Sequence, residues 1–398
     1  MPSSLIHDPS FSADPAGFYE RMLDLPAVFF NEADGCYFMT RHADVKELIG
    51  NHEVYDPRQG SLQRHDLDGP FDFDPIVLQS PPEHTRMRRL AAHAFSMAQV
   101  SRFSAGAREI ASRLAMELRG ERGRFDLISQ FTEPLALEAV ARLIDLPNEM
   151  RSAVMGPLRD LIQQEGADPE FIQRQVTDFN AAIARHFLHV RDRGASGFAD
   201  DLVNARVGSD VFSQGEAYGI LLMAVIGGAE DMVRGLANIV YALWLYPQAR
   251  AAFRADPASG LNGVVSEALR LFPTTQYLRR VARRSVAVRG VEIPQGASVV
   301  GLLGVANRDP VVFDEAGAFR IDRRNVSASL TFGSGPHVCV GKHIGRIILN
   351  AGLMALMEQL PDLELDPAAS QRTLNPPILG FRNLWAEFGP RPETAPNA

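Results

Sequence analysis

From Ser213 onward no proline occurs until Pro247, and Ser213 with Glu216 three residues later has the spacing of a capping box. The sequence therefore predicts a single helix of about 32 residues, roughly 48 Å long at about 1.5 Å per residue, where the mean helix has about 11–12 residues. A helix of that length crosses the whole molecule, and the other elements must be built around it. It nevertheless carries Gly227-Gly228 at mid-length, each costing up to about 1 kcal/mol relative to alanine. Two readings of the pair stand open: close packing against a neighbouring helix, or backbone that must make room for a ligand. Glu230-Asp231 follow directly, and carboxylates in a largely apolar helix are costly to bury unless they serve a chemical purpose.

Helical spacing also runs through 107–118, 135–144, 171–191 and 344–359. Strand-like runs are few: 27–31 and 35–40 around Asp34-Gly35, then 285–291 and 297–303, with Pro294-Gln295-Gly296 as the expected hairpin hinge. The expected class is mainly α with a small β portion. No repeat or linker interrupts the chain, so one unit spanning 1–398 is expected. Segment 56–80 differs, because Pro57, Gly60, Gly69, Pro70 and Pro75 forbid a long helix while Phe71 and Phe73 add apolar surface. A loop of that length in a compact protein is usually functional.

Composition excludes several classes. With 46% hydrophobic and 22% charged residues the chain is neither disordered nor fibrous, and a net charge of −8 argues against nucleic acid as the main partner. Cys36 and Cys339 are the only cysteines, so there is neither a disulfide framework nor a zinc cluster. No apolar run approaches the roughly 20 residues of a membrane span, and residues 1–18 lack a basic-then-apolar signal pattern. A soluble, cytoplasmic protein is expected.

The most specific segment is Phe332-Gly333-Ser334-Gly335-Pro336-His337-Val338-Cys339-Val340-Gly341. Three glycines and a proline surround one cysteine, and helical spacing begins just after it. Free backbone N–H groups at a helix start favour a thiolate, and glycines let main chain lie close against a flat ligand. Thiolate ligation of haem iron requires this combination. A lone cysteine in a Gly-rich turn would instead be a structural residue; the full Phe-Gly-x-Gly-x-His-x-Cys-x-Gly spacing argues against that.

On these residues the chain resembles the cytochrome P450 superfamily in its soluble bacterial form, and the resemblance extends over nearly the whole length. It implies the cytochrome P450 fold, with haem b between a long distal helix and the helix following the cysteine loop, and Cys339 as the iron ligand. Glu267-Ala268-Leu269-Arg270 looks like the family's Glu-x-x-Arg, with Arg323 as the arginine that joins the pair. Ser80-Pro81-Pro82-Glu83 reads as a capped helix start and is similar to the family's Asp-Pro-Pro-Glu-His; it sets His84 and Arg88 at the spacing that binds haem propionates. Arg280, with Arg279 a rival one position away, and His337 complete the implied propionate contacts.

The chain departs from the family on the distal helix, where the usual acid–threonine pair reads Glu230-Asp231. In the family that alcohol helps hold the water that delivers protons during oxygen activation. Three consequences are open: Asp231 takes over the relay, substrate hydroxyls or extra water do so, or hydrogen peroxide serves as oxidant. The first makes Glu230 and Asp231 the candidate catalytic residues. The implied reaction is a monooxygenation: one atom of O₂ enters a small or mid-sized apolar molecule. Electrons would come from a separate ferredoxin or flavodoxin with its NAD(P)H-dependent reductase, docking on Arg86, Arg89, Lys342, His343 and Arg346. Segments 60–79, 223–227, 274–277 and 376–381 would line the substrate pocket, with Gln276 and Asn375 as polar anchors. A haem-thiolate peroxygenase and a haem-binding sensor are the rival readings.

Overall fold

The computed structural model describes residues 4–58, 71, 75–121, 123–164, 167–193, 197–373 and 378–389. Its axis is the helix Gln214–Leu245, 32 residues without a break. Ser213 Oγ accepts from the Glu216 N–H while the Glu216 carboxylate accepts from the Ser213 N–H, so the capping box forms in full. The two glycines at mid-length divide the explanations between them. A Cβ at Gly228 would stand 3.1 Å from Val140, so Gly228 serves close packing on the helix Glu133–Leu143. At Gly227 no atom lies within 4 Å of the Cβ position, so this residue fronts open space.

Helices Glu133–Leu143, Pro257–Leu271 and Lys342–Gln359 pack directly against the axis, and Met97–Glu121 packs on the last of these. Burial of their apolar faces builds one large core, in which Leu135, Ala139, Leu222, Val233, Val264 and Leu353 are inaccessible to solvent. Glycine brings the last helix close: a Cβ at Gly345 would meet Met232 Cε at 3.2 Å, and one at Gly352 would overlap Leu236. Among the described residues no helix is long and apolar enough to cross a membrane.

Among the described residues the β portion is a five-stranded sheet, a three-stranded sheet and three two-stranded pairings. Val28–Asn31 and Cys36–Met39 form the expected hairpin, and Ser298–Leu302 joins Cys36–Met39 in parallel. Two expectations need correction. The hairpin hinge lies at Arg289-Gly290, not at Pro294-Gln295-Gly296: Val286–Val288 pairs with Val291–Ile293 through two residues with φ of 50° and 80°. Positive φ at both positions is what a two-residue turn between twisted strands demands. The strand before it, Tyr277–Ala282, pairs with Ser298–Leu302 and bears Arg279-Arg280, whose charges hid its alternation in the sequence.

Beneath the core lies a buried ion network. Arg270 Nε and Nη2 donate to the two Glu267 oxygens at 2.8 and 2.7 Å, and Arg323 Nε donates to Glu267 Oε1 at 2.8 Å. Glu267 and Arg270 are fully inaccessible. Their remaining donors are spent on carbonyls: Arg270 on Asn307, Ala316 and Ala318, Arg323 on Asp314, Glu315 and Ala318. Asn307 carries the network onward, accepting from the Leu330 N–H at 2.7 Å and donating to Thr331 Oγ1 at 3.1 Å. Removing the carboxylate from such a site leaves buried cations uncompensated. Glu267→Gln is therefore expected to cost about 3–5 kcal/mol in urea unfolding, or to prevent accumulation of folded protein. Arg113→Ala, which breaks exposed pairs with Glu117 and Glu138, should stay within about 1 kcal/mol of the parent in the same assay.

Candidate functional site

The cysteine loop is set by its glycines. Gly333 and Gly335 have φ of 74° and 66°, the left-handed region that a side chain would strain. Gly335 also lies against Gly50, where an added Cβ would come within 2.7 Å of the Gly50 Cα. The Cys339 N–H donates to the Phe332 carbonyl at 2.8 Å and folds the loop back on itself, one turn ahead of the helix Lys342–Gln359. Protein atoms surround the Cys339 side chain on most sides, yet it remains accessible because it faces open space.

The backbone amide expected to favour the thiolate is present, but the environment opposes it. Burial pushes the Cys339 thiol up, and Asp231 across the site pushes in the same direction. A backbone hydrogen bond from Gly341, with Arg88 and Lys342, works the other way and does not prevail. A cation bound at the sulfur would remove the proton outright.

Four of the expected cofactor contacts come together beside the loop. His84 and His337 lie ring to ring at 4.2 Å, and Arg88 Nη1 donates to the Val338 carbonyl at 2.8 Å. Arg280 and Arg88 both bear electrostatically on His337, whereas Arg279 bears on Cys36 and Tyr277. Burial pushes Arg280 down to about 10, with Asp56 the opposing influence, and Asp56 is already shared by Arg58 and Arg283. His337 Nε2 is buried without a partner. Among the described residues none of these four side chains is hydrogen-bonded to a carboxylate. Burying so many donors without an anion is unfavourable, so the donor set fits a ligand bearing carboxylates over a flat body against the cysteine loop.

His52 belongs to the same group and was not legible in the sequence, since it acts on both His84 and His337 from a turn beyond the helix His42–Gly50. The expected Ser80 cap does not form. Helix Glu83–Ala91 starts without a side-chain cap, and Ser80 Oγ instead accepts from Arg283 Nη2 at 2.7 Å. His84 is reached through the Ser80 carbonyl, which accepts from its N–H at 3.1 Å.

On the distal helix, Asp231 and Glu230 are both half-buried. Thr274 Oγ1 donates to Asp231 Oδ1 at 2.5 Å; burial raises the Asp231 carboxyl, and this hydrogen bond partly offsets the rise. Of the expected pocket segments, Met223, Ala224 and Gly227 border open space or the core edge, and Phe71 packs its ring 5.0 Å from Tyr218. Residues 60–70, 72–74 and 374–377, including Asn375, lie outside the described residues. Gln276 is no anchor for a ligand: it is 1% exposed and bound to Tyr19 and to the Pro273 carbonyl.

The expected docking patch divides in two. Arg86 is paired with Glu216 and Asp210, and Arg89 with Asp210 at 2.7 Å, so their charges are matched within the fold. Lys342, His343 and Arg346 line a concavity of about 240 Å³ on the far side of the cysteine loop, together with Phe332 and Val338. Arg346 lies over the Phe332 ring and donates to Ser266.

The histidine pair gives a pH dependence with a definite sign. Burial, reinforced by Arg88, lowers His84 to about 4, and burial with His84 and the two arginines lowers His337 to about 3, against about 6.5 when unfolded. The folded state thus binds fewer protons below pH 6.5, and this contribution to stability is complete above that pH and lost as pH falls towards 4. Protein stripped of cofactor should lose unfolding midpoint between pH 7 and 5, and His84→Asn should lose less; equal losses in both proteins would contradict the assignment.

The family model described as Cytochrome P450 matches residues 260–381. Among curated proteins, the chain is 32% identical to the cytochrome P450 monooxygenase PikC of Streptomyces venezuelae, covering 94% of this chain and 91% of that one. It is 28% identical to cytochrome P450 107B1 of Saccharopolyspora erythraea, covering 92% of both. Among solved structures, the cytochrome P450 PksS of the Bacillus subtilis bacillaene polyketide synthase superposes with a TM-score of 0.88 at 23% identity, over 97% of this chain and 100% of that one. By its fold and by its identity with PikC along almost the entire length, the chain belongs to the cytochrome P450 family, whose members are haem-thiolate monooxygenases.

Proposed function

We propose that Cys339 is the thiolate ligand of haem b, and that His84, Arg88, Arg280 and His337 hold its propionates. The observation that carries this reading is the buried, anion-poor donor group beside a cysteine whose side chain is open on one side. When bound, the haem supplies the oxidising power and the thiolate donates electron density that favours O–O cleavage. The protein's own residues orient the ring, exclude water and move protons, the last assigned to Asp231 with Glu230 beside it. In this reading 1–398 acts as one catalytic domain.

The substrate is a small or mid-sized apolar molecule. Gly227 leaves room along the distal helix, and half-buried Met223 and Ala224 offer apolar surface. One structural relative is consistent with that size class: CYP109E1 of Bacillus megaterium, at 21% identity and a TM-score of 0.84, was solved in complex with testosterone. Electrons come from a separate acidic ferredoxin or flavodoxin, served by an NAD(P)H-dependent reductase and docking at the concavity of Lys342, His343 and Arg346.

The peroxygenase reading draws on the carboxylate at position 231. It predicts turnover with H₂O₂ alone at rates comparable with the full electron-transfer chain, and the monooxygenase reading predicts much slower peroxide turnover.

Reduced protein under carbon monoxide should show a strongly red-shifted Soret band, and Cys339→Ser should lose it while keeping the fold. Retention of the band in that variant would remove Cys339 as ligand. Lys342→Glu combined with His343→Glu should weaken donor binding at least about tenfold at low ionic strength, with the carbonyl band intact. Unchanged affinity would discard this docking surface.

A further inference from the structure

Asp231 is a carboxylate in the middle of the longest helix, and the donor that meets it comes from another element. Thr274 follows Pro273 in the connection between helix Pro257–Leu271 and strand Tyr277–Ala282, 43 residues away in sequence. Its hydroxyl stands 2.5 Å from Asp231 Oδ1, in the range of hydrogen bonds to an ionised oxygen. Two hydrogen bonds hold this segment in place. The Thr274 carbonyl accepts from the Leu379 N–H at 2.8 Å, and Gln276 ties the preceding carbonyl of Pro273. Thr274 is 7% exposed, so water does not compete freely for its hydroxyl. The titratable groups near the carboxyl are Cys339 across the site and Glu230 on the same helix turn.

We propose that Thr274 is a positioning residue for the proton chemistry of Asp231: its hydroxyl fixes Oδ1 and leaves Oδ2 to take a proton from water and release it on the haem side. The inference rests on the reading that Asp231 is the proton-handling group. Thr274 keeps its own proton throughout, so one proton enters and one leaves per transfer at Oδ2. The distal helix thus lacks an alcohol after its acid, and an alcohol reaches the carboxyl from a different element.

The test is infrared difference spectroscopy on resting, haem-loaded protein across pH. The protonated-carboxyl stretch of Asp231 is identified as the band lost in Asp231→Asn. Because Thr274 donates to the ionised form, Thr274→Val should move the midpoint of this band upward by about one pH unit, a tenfold change. Thr274→Ser should bring it back close to the parent. Thr274→Val should also lower product formed per NAD(P)H consumed, with Thr274→Ser restoring it; Thr274→Ala serves if the valine variant does not load haem. An unshifted midpoint in the hydroxyl-free variants overturns the role of Thr274. Asp231→Asn with parental coupling overturns the reading of Asp231 itself. Asp231→Asn uncoupled beside fully coupled Thr274→Val removes Thr274 alone.

Discussion

Everything around the cysteine loop depends on one buried carboxylate. Glu267 faces two guanidinium groups with no water to share the work, a desolvation that is repaid only because nearly every donor finds a partner. Its value lies less in net stability than in geometry. Arg270 and Arg323 gather the carbonyls of residues 307 and 314–318, which pins an irregular stretch of chain that has no strand or helix of its own to hold it. Asn307 then fixes Leu330 and Thr331, and two residues further the Phe332 carbonyl receives the Cys339 N–H. Hydrogen bonds and short covalent steps of backbone thus connect the ion network to the Cys339 main chain.

The two sides of the site are held by different physics. On the cysteine side, polar contacts and left-handed glycines define the backbone, and the thiol is placed where burial and Asp231 disfavour its ionisation. On the distal side, a continuous helix packed mainly through apolar side chains provides the wall, tied to its neighbours by buried Arg234 and Asn238 donating to backbone carbonyls. A cation bound at the sulfur would supply the positive charge that favours the thiolate.

Much of this was legible from local patterns. The capping box and the absence of proline define the long helix within a residue or so, and the spacing around Cys339 identifies its loop, because both signals are carried by neighbouring residues. Glu267, Arg270 and Arg323 were recognisable only through the family resemblance; charge spacing alone describes an ordinary surface pair. What escaped the sequence was long-range pairing. Nothing near Arg86 or Arg89 signals that Asp210 and Glu216 neutralise them, and nothing near Ser80 signals that Arg283 occupies its hydroxyl. The strand Tyr277–Ala282 failed for a different reason, since adjacent arginines pointing to opposite faces erase the alternation that marks a strand.

The segment 274–277 has a consequence for which positions of the chain are free to vary. Thr274 is committed to Asp231, Gln276 to Tyr19 and Pro273, and Tyr277 is 6% exposed in the N-terminal core cluster. Thr275 alone in this run is half-buried, and its backbone bridges to Ile378. Variation in this stretch is thus confined to one side chain, because its neighbours also hold scaffold and chemistry. Substitution at Thr275 and Gly227 leaves the frame undisturbed, whereas changes at the flanking positions carry a cost in folding.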